Sequence, residues 1–390
     1  MRSLRVILCL APLALAAGCP AQRATRPDRS AREILLEPTV ILGKPDAELG
    51  LDELDAQALL KQGLSLQAAG KFAEAALYLR RLLSEFPGSR YLSAAAFNLG
   101  RGLEELGRPA EAVEAYRRIT RELPGSRDFF DAAFREAGCL GSLGRAEEAV
   151  ALLDRVLQRA DTSVDDQVDA WLQRGEILRG RDPQEAERSL RAALRLYRAH
   201  ERKEYLDPAL AARAEFRLAE LAEKGFQVAP LRLPEELLES DLEEKARRLL
   251  EAQAGFLRCM RHGDAEWAIA AGYRIGRLYV DLHHALEAVP TPEDLSGEEA
   301  AVYRELLRKR LLVLLRKAVR VFEMTVQLSE RTRLDTEWTR EARAEMARIE
   351  REVLQAIEAG ARGGAGDNAS GGGPEPEPVP PVPAPPPPSR

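Results

Sequence analysis

The chain has 390 residues with 57 basic and 63 acidic side chains, and its formal net charge is −6. This near balance argues against a nucleic-acid-binding protein, which usually shows a clear basic excess. The hydrophobic fraction is 45%, which is enough to bury a core, while aromatic residues make up only 5%. Ala, Leu, Arg and Glu recur throughout, and because these are strong helix formers the composition predicts an all-α fold.

The N-terminal segment has the features of an export signal. Two arginines are followed by an apolar run, Val6–Ala17, which is shorter than the roughly 20 residues that span a bilayer as a helix. The run ends in small residues just before Cys19. This arrangement resembles the bacterial lipobox, and the resemblance implies that residues 1–18 are a lipoprotein signal peptide and that Cys19 carries a lipid. A secretory signal with an incidental cysteine and a transmembrane anchor are the alternatives.

The lipobox resemblance also carries an expectation about location. Two or three acyl chains, at roughly 0.8 kcal/mol per buried CH₂, hold a protein stably on a membrane. Pro20, instead of an aspartate, follows Cys19, and the sorting rule of enteric bacteria then favours the outer membrane, with the protein facing the periplasm. Another bacterial membrane leaflet or the cell surface is the alternative. Residues 19–50 show no clear period and are predicted to be a tether.

Small residues recur at a nearly constant interval from residue 55 onward. Four alanines are each separated by 37 positions: Ala75, Ala112, Ala149 and Ala186. Four glycines recur at almost the same spacing: Gly63, Gly100, Gly138 and Gly175. A glycine inside a helix costs about 0.5–1 kcal/mol relative to alanine, so its recurrence predicts close approach of a second helix, with the alanines facing the glycines from that helix.

Turn residues recur with the same interval. Gly-Lys or Gly-Arg pairs separate the two predicted helices of each unit, at Gly70, Gly107, Gly144 and Gly180. Pro87 and Pro124 are placed to end second helices, whereas Pro109 and Pro183 stand where proline is tolerated at a helix start. Apart from Cys9 and Cys19, the sequence has two cysteines, Cys139 and Cys259. They lie on separate predicted helices, and buried free thiols are expected instead of a disulfide.

The combination of these residues resembles the tetratricopeptide repeat. The resemblance covers residues 55–124, 129–160 and 168–198, and it implies four repeat units within residues 51–200. The predicted fold is therefore an all-α, tetratricopeptide-type α-α solenoid with flexible N- and C-terminal linkers. Solenoids bury their last apolar face under a terminal element, and the pattern of residues 336–358 predicts such a capping helix.

Residues 201–358 are predicted to be a divergent, repeat-like helical segment. One pair would join 208–223 to 242–260, with Ala219 and Ala246 at the close-packing positions. Another would join 265–288 to 298–330, with Gly276, Tyr279, Ala318 and Phe322 in the signature places of the repeat and with a capping box of Ser296 and Glu299 before the second helix.

Residues 225–355 are also loosely similar to the C-terminal part of large repeat proteins of gliding and predatory Gram-negative bacteria. The similarity rests on Gly272–Gly276, Thr291–Leu295 and the pair Glu337-Trp338. The Gly/Pro-rich end, residues 359–390, is predicted to be a disordered tail that acts as a spacer or as a docking peptide.

Catalytic motifs are absent from the sequence. It contains no GxSxG elbow, no phosphate-binding loop and no dinucleotide fingerprint, so it predicts neither a cofactor nor a small-molecule substrate. Asp281, His284 and Glu287 share one helix face at three-residue spacing, which could hold a metal ion. Metal sites normally draw ligands from a second element, so a lightly paired helix face and no metal are predicted.

A protein-binding groove is the remaining kind of site. In tetratricopeptide arrays the first helix of each pair lines a concave groove, and the resemblance implies that these residues face it: Leu60, Leu64, Phe97, Arg101, Glu104, Arg135 and Glu176. The alternative for Leu60 and Phe97 is packing between neighbouring units. Asn98 matches one place of the clamp that holds a peptide carboxylate in chaperone-binding members, but Leu60 and Leu64 occupy other places of that clamp and argue against it.

These features favour a binding protein and not an enzyme. The hypothesis is a membrane-anchored periplasmic scaffold of an envelope assembly, secretion or motility complex, whose partners are other envelope proteins and, through the lipid on Cys19, the membrane. No nucleic-acid partner is expected. The alternative is an adaptor to the cell wall, or to a wall-processing enzyme, through the Pro-rich tail. An enzyme built on residues 225–358 has only the cluster around His284 to support it.

Overall fold

The structure is a computed structural model that describes residues 51–201, 206–292 and 295–364. Within these ranges the chain forms thirteen α-helices and no strand, which confirms the predicted all-α fold. Cys19, the signal peptide, the tether and most of the tail lie outside the described residues. The chain forms two compact units, and the division falls between Arg217 and Leu218. None of the described helices is both long enough and apolar enough to cross a bilayer.

The first unit consists of successive helix pairs. In chain order its helices are α1 (Leu51–Ala68), α2 (Phe72–Glu85), α3 (Leu92–Glu105), α4 (Pro109–Arg117), α5 (Phe129–Ser142), α6 (Ala146–Gln158), α7 (Val164–Leu178) and α8 (Pro183–His200). A π-helical turn, Arg118–Glu122, extends α4. Each helix packs on the next along the chain, which is the α-α solenoid arrangement that the tetratricopeptide resemblance predicts. The prolines end and begin helices as expected.

The turns inside the first three pairs share one backbone conformation. Gly70, Gly107 and Gly144 have φ of 74°, 67° and 73°, the left-handed region that costs other residues about 1–2 kcal/mol. The fourth turn differs, because Gly180 is not among the residues with positive φ. There Asp182 caps α8 by accepting a hydrogen bond from the Glu185 N–H, so a side-chain cap replaces the glycine turn.

Close helix packing explains three of the four recurring glycines. A Cβ at Gly63, Gly100 or Gly175 would lie 2.8, 2.5 or 2.7 Å from a side chain of the paired helix. The four recurring alanines are fully buried, as predicted. For Gly138 the prediction is wrong, because it is exposed and a Cβ there would meet nothing within 4 Å. It lies 38 positions after Gly100 instead of 37, and one residue rotates a helix position by about 100°. Ala137, fully buried, is at the expected interval.

The division between the units falls within α9, and the second unit includes the rest of that helix. The helices are α9 (Pro208–Val228), α10 (Glu235–Arg261), α11 (Ala265–Glu287), α12 (Gly297–Thr332) and α13 (Glu337–Gly364). Gly276 of α11 lies against the Phe322 ring of α12. As predicted, the Ser296–Glu299 capping box forms and α13 packs on α11 and α12. Residues 359–364, predicted as the start of the tail, are helical.

The predicted contact between α9 and α10 is partly wrong. Ala246 is exposed, whereas its neighbour Lys245 is buried. The close approach to Ala219 comes instead from Gly255, where a Cβ would lie 2.8 Å from the Ala219 Cβ. Cys139 and Cys259 are buried free thiols, as expected, and burial raises the pKa of Cys139 to about 12.

Candidate protein-binding surface

The first helices of successive pairs lie side by side in the first unit. Helix α1 contacts α3, and α5 contacts α7. Two ion pairs connect the remaining neighbours: Glu104 with Arg135 joins α3 to α5, and Glu176 with Arg213 joins α7 to α9. The first helices therefore form one continuous face, which we call the first-helix face. It is built from α1, α3, α5, α7 and the part of α9 up to Arg217.

Glu104 and Arg135 form a half-buried polar contact on this face. The Arg135 Nη1 donates to the Glu104 Oε1 at 3.2 Å, and the Tyr116 hydroxyl donates to the same oxygen. The Arg135 guanidinium lies 6.0 Å from the centre of the Phe97 ring. Burial, followed by the Glu104 charge, raises the pKa of Tyr116, so its hydroxyl stays a donor and fixes the carboxylate. The polar groups of α3, α4 and α5 thus hold one another in place.

Glu176 accepts hydrogen bonds from two arginines of α9 that the sequence analysis did not include. The Arg213 Nε lies 2.9 Å and the Arg217 Nε 2.7 Å from the Glu176 Oε1. A signal for one of them was present, because Arg213 follows Glu176 by 37 positions, the interval of the repeat. The two arginines therefore hold the Glu176 carboxylate against α9.

Two predicted groove residues do not reach the surface. Leu60 is 0% and Phe97 4% exposed, and both belong to the hydrophobic core. The groove prediction is therefore corrected for them, because both apolar side chains are packed inside the core and are not at the surface. Leu64 and Arg101 are half-buried on the same helices and remain available at the surface.

Asn98 has an internal role. Its side chain is buried, and its Nδ2 donates to the Ala94 carbonyl oxygen of its own helix at 2.8 Å. The Gln67 Nε2 donates to the Asn98 backbone carbonyl at 2.7 Å and so links α1 to α3. Because the Asn98 amide group is directed at its own helix, it is not positioned to bind a peptide carboxylate, which agrees with the argument against a clamp.

A second exposed surface lies on α12 and was missed by the sequence analysis. Val302, Leu306, Val313 and Met324 are 51–61% exposed. Their spacings of 4, 7 and 11 residues place them within about 40° of one another around the helix; we call them the α12 stripe. Exposed basic side chains border it: Lys309, Arg310, Lys317 and Arg320. Near Met324 the stripe adjoins a cleft of about 750 Å³ between α12 and α13.

Charged side chains of the second unit form a buried network. Arg274 donates to Glu220 at 2.8 Å and lies 3.5 Å from Glu223. Glu223 is 3% exposed, and its Oε1 has no hydrogen-bond partner. Burial raises the pKa of Glu223 to about 7, although the nearby Arg274 acts in the opposite direction. The network therefore contains a carboxyl group whose ionisation is costly.

The helix face with Asp281, His284 and Glu287, for which the sequence predicts light pairing and no metal, is mostly paired. Asp281 accepts a hydrogen bond from Arg277 at 2.9 Å, and Glu287 lies 3.9 Å from Arg308. The lightly paired face expected from the sequence is confirmed for these two carboxylates. His284 lies instead with His283 of its own helix and Glu352 of α13, and among the residues that the structure describes this group could hold a metal ion.

Comparison with known proteins gives a family for part of the chain. The tetratricopeptide repeat family matches residues 60–127 and 97–164. The matched residues, 60–164, coincide with helix pairs of the first unit. Proteins with such repeats act as scaffolds for protein interactions, and this chain has the fold of that class. No curated protein matches the chain in sequence.

Solved structures with low overall similarity were also found. The structure from "Functional Characterization of Pseudomonas Aeruginosa pilF" has 19% identity and a TM-score of 0.38, covering 68% of this chain and 97% of that one. A tetratricopeptide repeat protein from Parabacteroides merdae has 15% identity and a TM-score of 0.36, covering 76% and 99%. Yeast Tom70 has 14% identity and a TM-score of 0.25, covering 77% and 72%.

Proposed function

We propose that this protein is a membrane-anchored, periplasmic protein-binding scaffold of an envelope assembly, secretion or motility complex. The observation that carries the proposal is the first-helix face, because side-by-side first helices give a repeat array an extended surface for a partner. The tetratricopeptide match of residues 60–164 supports a role in protein interaction. Photo-crosslinking in cells from Arg101, on this face, tests the binding role.

The α12 stripe supplies a second contact surface in this proposal. Its four apolar side chains are exposed to water, and a partner that covers them gains the free energy of apolar burial. The bordering Lys and Arg side chains select the partner by charge. The occupant is therefore an amphipathic helix of a partner protein, with acidic residues beside its apolar face.

Replacing Cys19 with serine is expected to move the protein from the membrane fraction to the soluble periplasmic fraction, because serine lacks the thiol to which the lipid is attached. The measurement is immunoblotting of fractionated cells. Cys9→Ser is the matched control, since this cysteine lies in the segment that is removed, and it should leave the protein on the membrane. If Cys19→Ser protein remains in the membrane fraction like the control, the lipid anchor on Cys19 is refuted.

A further inference from the structure

We propose that His283, His284 and Glu352 form a binding site for a transition-metal ion of the Zn²⁺ type. Each residue offers one ligand atom, and these atoms all lie within 4.8 Å of one another. The two histidines belong to α11, whereas Glu352 belongs to α13. The second structural element that was missing from the helix-face prediction is therefore supplied by the terminal helix.

The burial of His283 is an independent observation at the same place. Its side chain is 2% exposed, and its Nδ1 is buried without a hydrogen-bond partner. Leaving a buried polar atom unpaired costs about 1–3 kcal/mol, and such atoms are rare in native proteins. An imidazole nitrogen is among the commonest metal ligands, so a bound ion gives this buried histidine a role that its packing alone does not.

The two histidine rings converge although they are adjacent in sequence. Their centres are 5.5 Å apart and the rings meet at 71°, whereas neighbouring positions of a helix diverge by about 100°. His284 and Glu352 are half-buried, so the site is open to solvent on one side. An ion can enter from that side.

The chemistry of the ligand set points to zinc and its neighbours in the periodic table. Two imidazoles with one carboxylate suit Zn²⁺, Ni²⁺ and Cu²⁺, whereas Mg²⁺ and Ca²⁺ prefer oxygen ligands alone. Binding would add a direct link between α11 and α13, which already pack on each other within the second unit. Because an ion that binds only the folded state stabilises it, zinc should raise the unfolding temperature of the protein.

The test is a zinc titration measured by isothermal titration calorimetry. It uses the full-length protein, prepared without a histidine tag and stripped of metal with a chelator. Wild-type protein should bind one Zn²⁺ per chain. His284→Ala and Glu352→Gln should each weaken that binding at least about tenfold, because a tenfold loss of affinity corresponds to a ligand contact of about 1.4 kcal/mol. His200→Ala, a half-buried histidine of α8, is the matched control and should bind like wild type.

Circular dichroism establishes that each variant is folded before it is titrated, and thermal unfolding with zinc or with a chelator gives a second measurement. Zinc should raise the unfolding temperature of wild type and of His200→Ala but not of His284→Ala. Absence of zinc binding by the wild-type protein would overturn the proposal. So would equal zinc affinity of wild type, His284→Ala and Glu352→Gln, because the ion would then be bound elsewhere.

Discussion

Replacing Glu223 with glutamine is expected to raise the free energy of unfolding at pH 8 by about 3 kcal/mol. The folded protein holds the pKa of this carboxyl at about 7, compared with 4.5 for an exposed glutamate, and each pH unit between those values corresponds to about 1.36 kcal/mol. Glutamine resembles the protonated acid in shape and carries no charge. The variant therefore avoids the cost of a buried ionised group near Glu220 and Asp281.

The sign of the pH dependence follows from proton binding. Below pH 4.5 the carboxyl is protonated in both the folded and the unfolded chain, and between pH 4.5 and about 7 only the folded chain keeps its proton. The contribution of Glu223 to stability therefore falls as the pH rises through this window and stays low above it. In Glu223→Gln this decrease should be absent.

Denaturant unfolding of the full chain at pH 5 and pH 8 measures this effect. Glu251→Gln is the matched control, because this side chain is exposed on α10, and it should change the unfolding free energy by less than about 0.5 kcal/mol at either pH. A Glu223→Gln variant that is less stable than wild type at pH 8 would show that the attraction between Glu223 and Arg274 outweighs the cost of burial.

Alanine substitutions at Gly100 and Gly138 are expected to have opposite effects. A Cβ at Gly100 would lie 2.5 Å from the buried Tyr116 ring, and forcing extra volume into a packed contact costs about 1–3 kcal/mol. Gly138 is exposed in the middle of α5 with nothing within 4 Å of a Cβ. Alanine at position 138 should raise the unfolding free energy by about 0.5–1 kcal/mol, because alanine has a higher helix propensity than glycine.

The two variants control for each other, since both replace a glycine inside a first helix with the same residue. Their unfolding free energies relative to wild type, from denaturant titration, provide the measurement. Two stabilised proteins would mean that the Gly100 position tolerates a methyl group and that the close approach of α3 to α4 is not needed. Two destabilised proteins would restore Gly138 to the role that the sequence interval assigned to it.

The helix pairs of the first unit were predictable because the residues that their packing requires recur at a regular interval in the sequence. Small residues must recur wherever two helices approach closely, and prolines and left-handed glycines mark the ends of helices. At Gly138 the sequence pattern is ambiguous. The sequence offers two small residues in succession, Ala137 and Gly138, and only the rotation of the helix decides which one faces the partner.

The second unit was less predictable because its packing is not periodic. In α10 both Ala246 and Gly255 could serve as the close-packing residue, and the pattern alone did not identify Gly255. Contacts between charged residues far apart in sequence, such as Arg277 with Glu345 at 2.6 Å, depend on the packing of α11 against α13. The grouping of Glu352 with the two histidines has the same origin.

The candidate binding surface was predicted in outline but not in detail. Family geometry placed Glu104, Arg135 and Glu176 on the first-helix face, where the structure finds them in ion pairs. The same geometry placed Leu60 and Phe97 on this face, but both are buried in the core. An apolar side chain can either line a groove or pack in the core, and the sequence alone does not distinguish the two roles.

Site-specific photo-crosslinking in living cells tests the central proposal most directly. A photoreactive amino acid is introduced at Arg101, half-buried on the first-helix face, and separately at Arg155, exposed on the second helix α6. We expect one discrete crosslinked envelope protein from position 101 and none from position 155. Equal crosslinking from both positions, or none from position 101 in a folded and correctly located protein, would contradict the proposal that the first-helix face binds the partner.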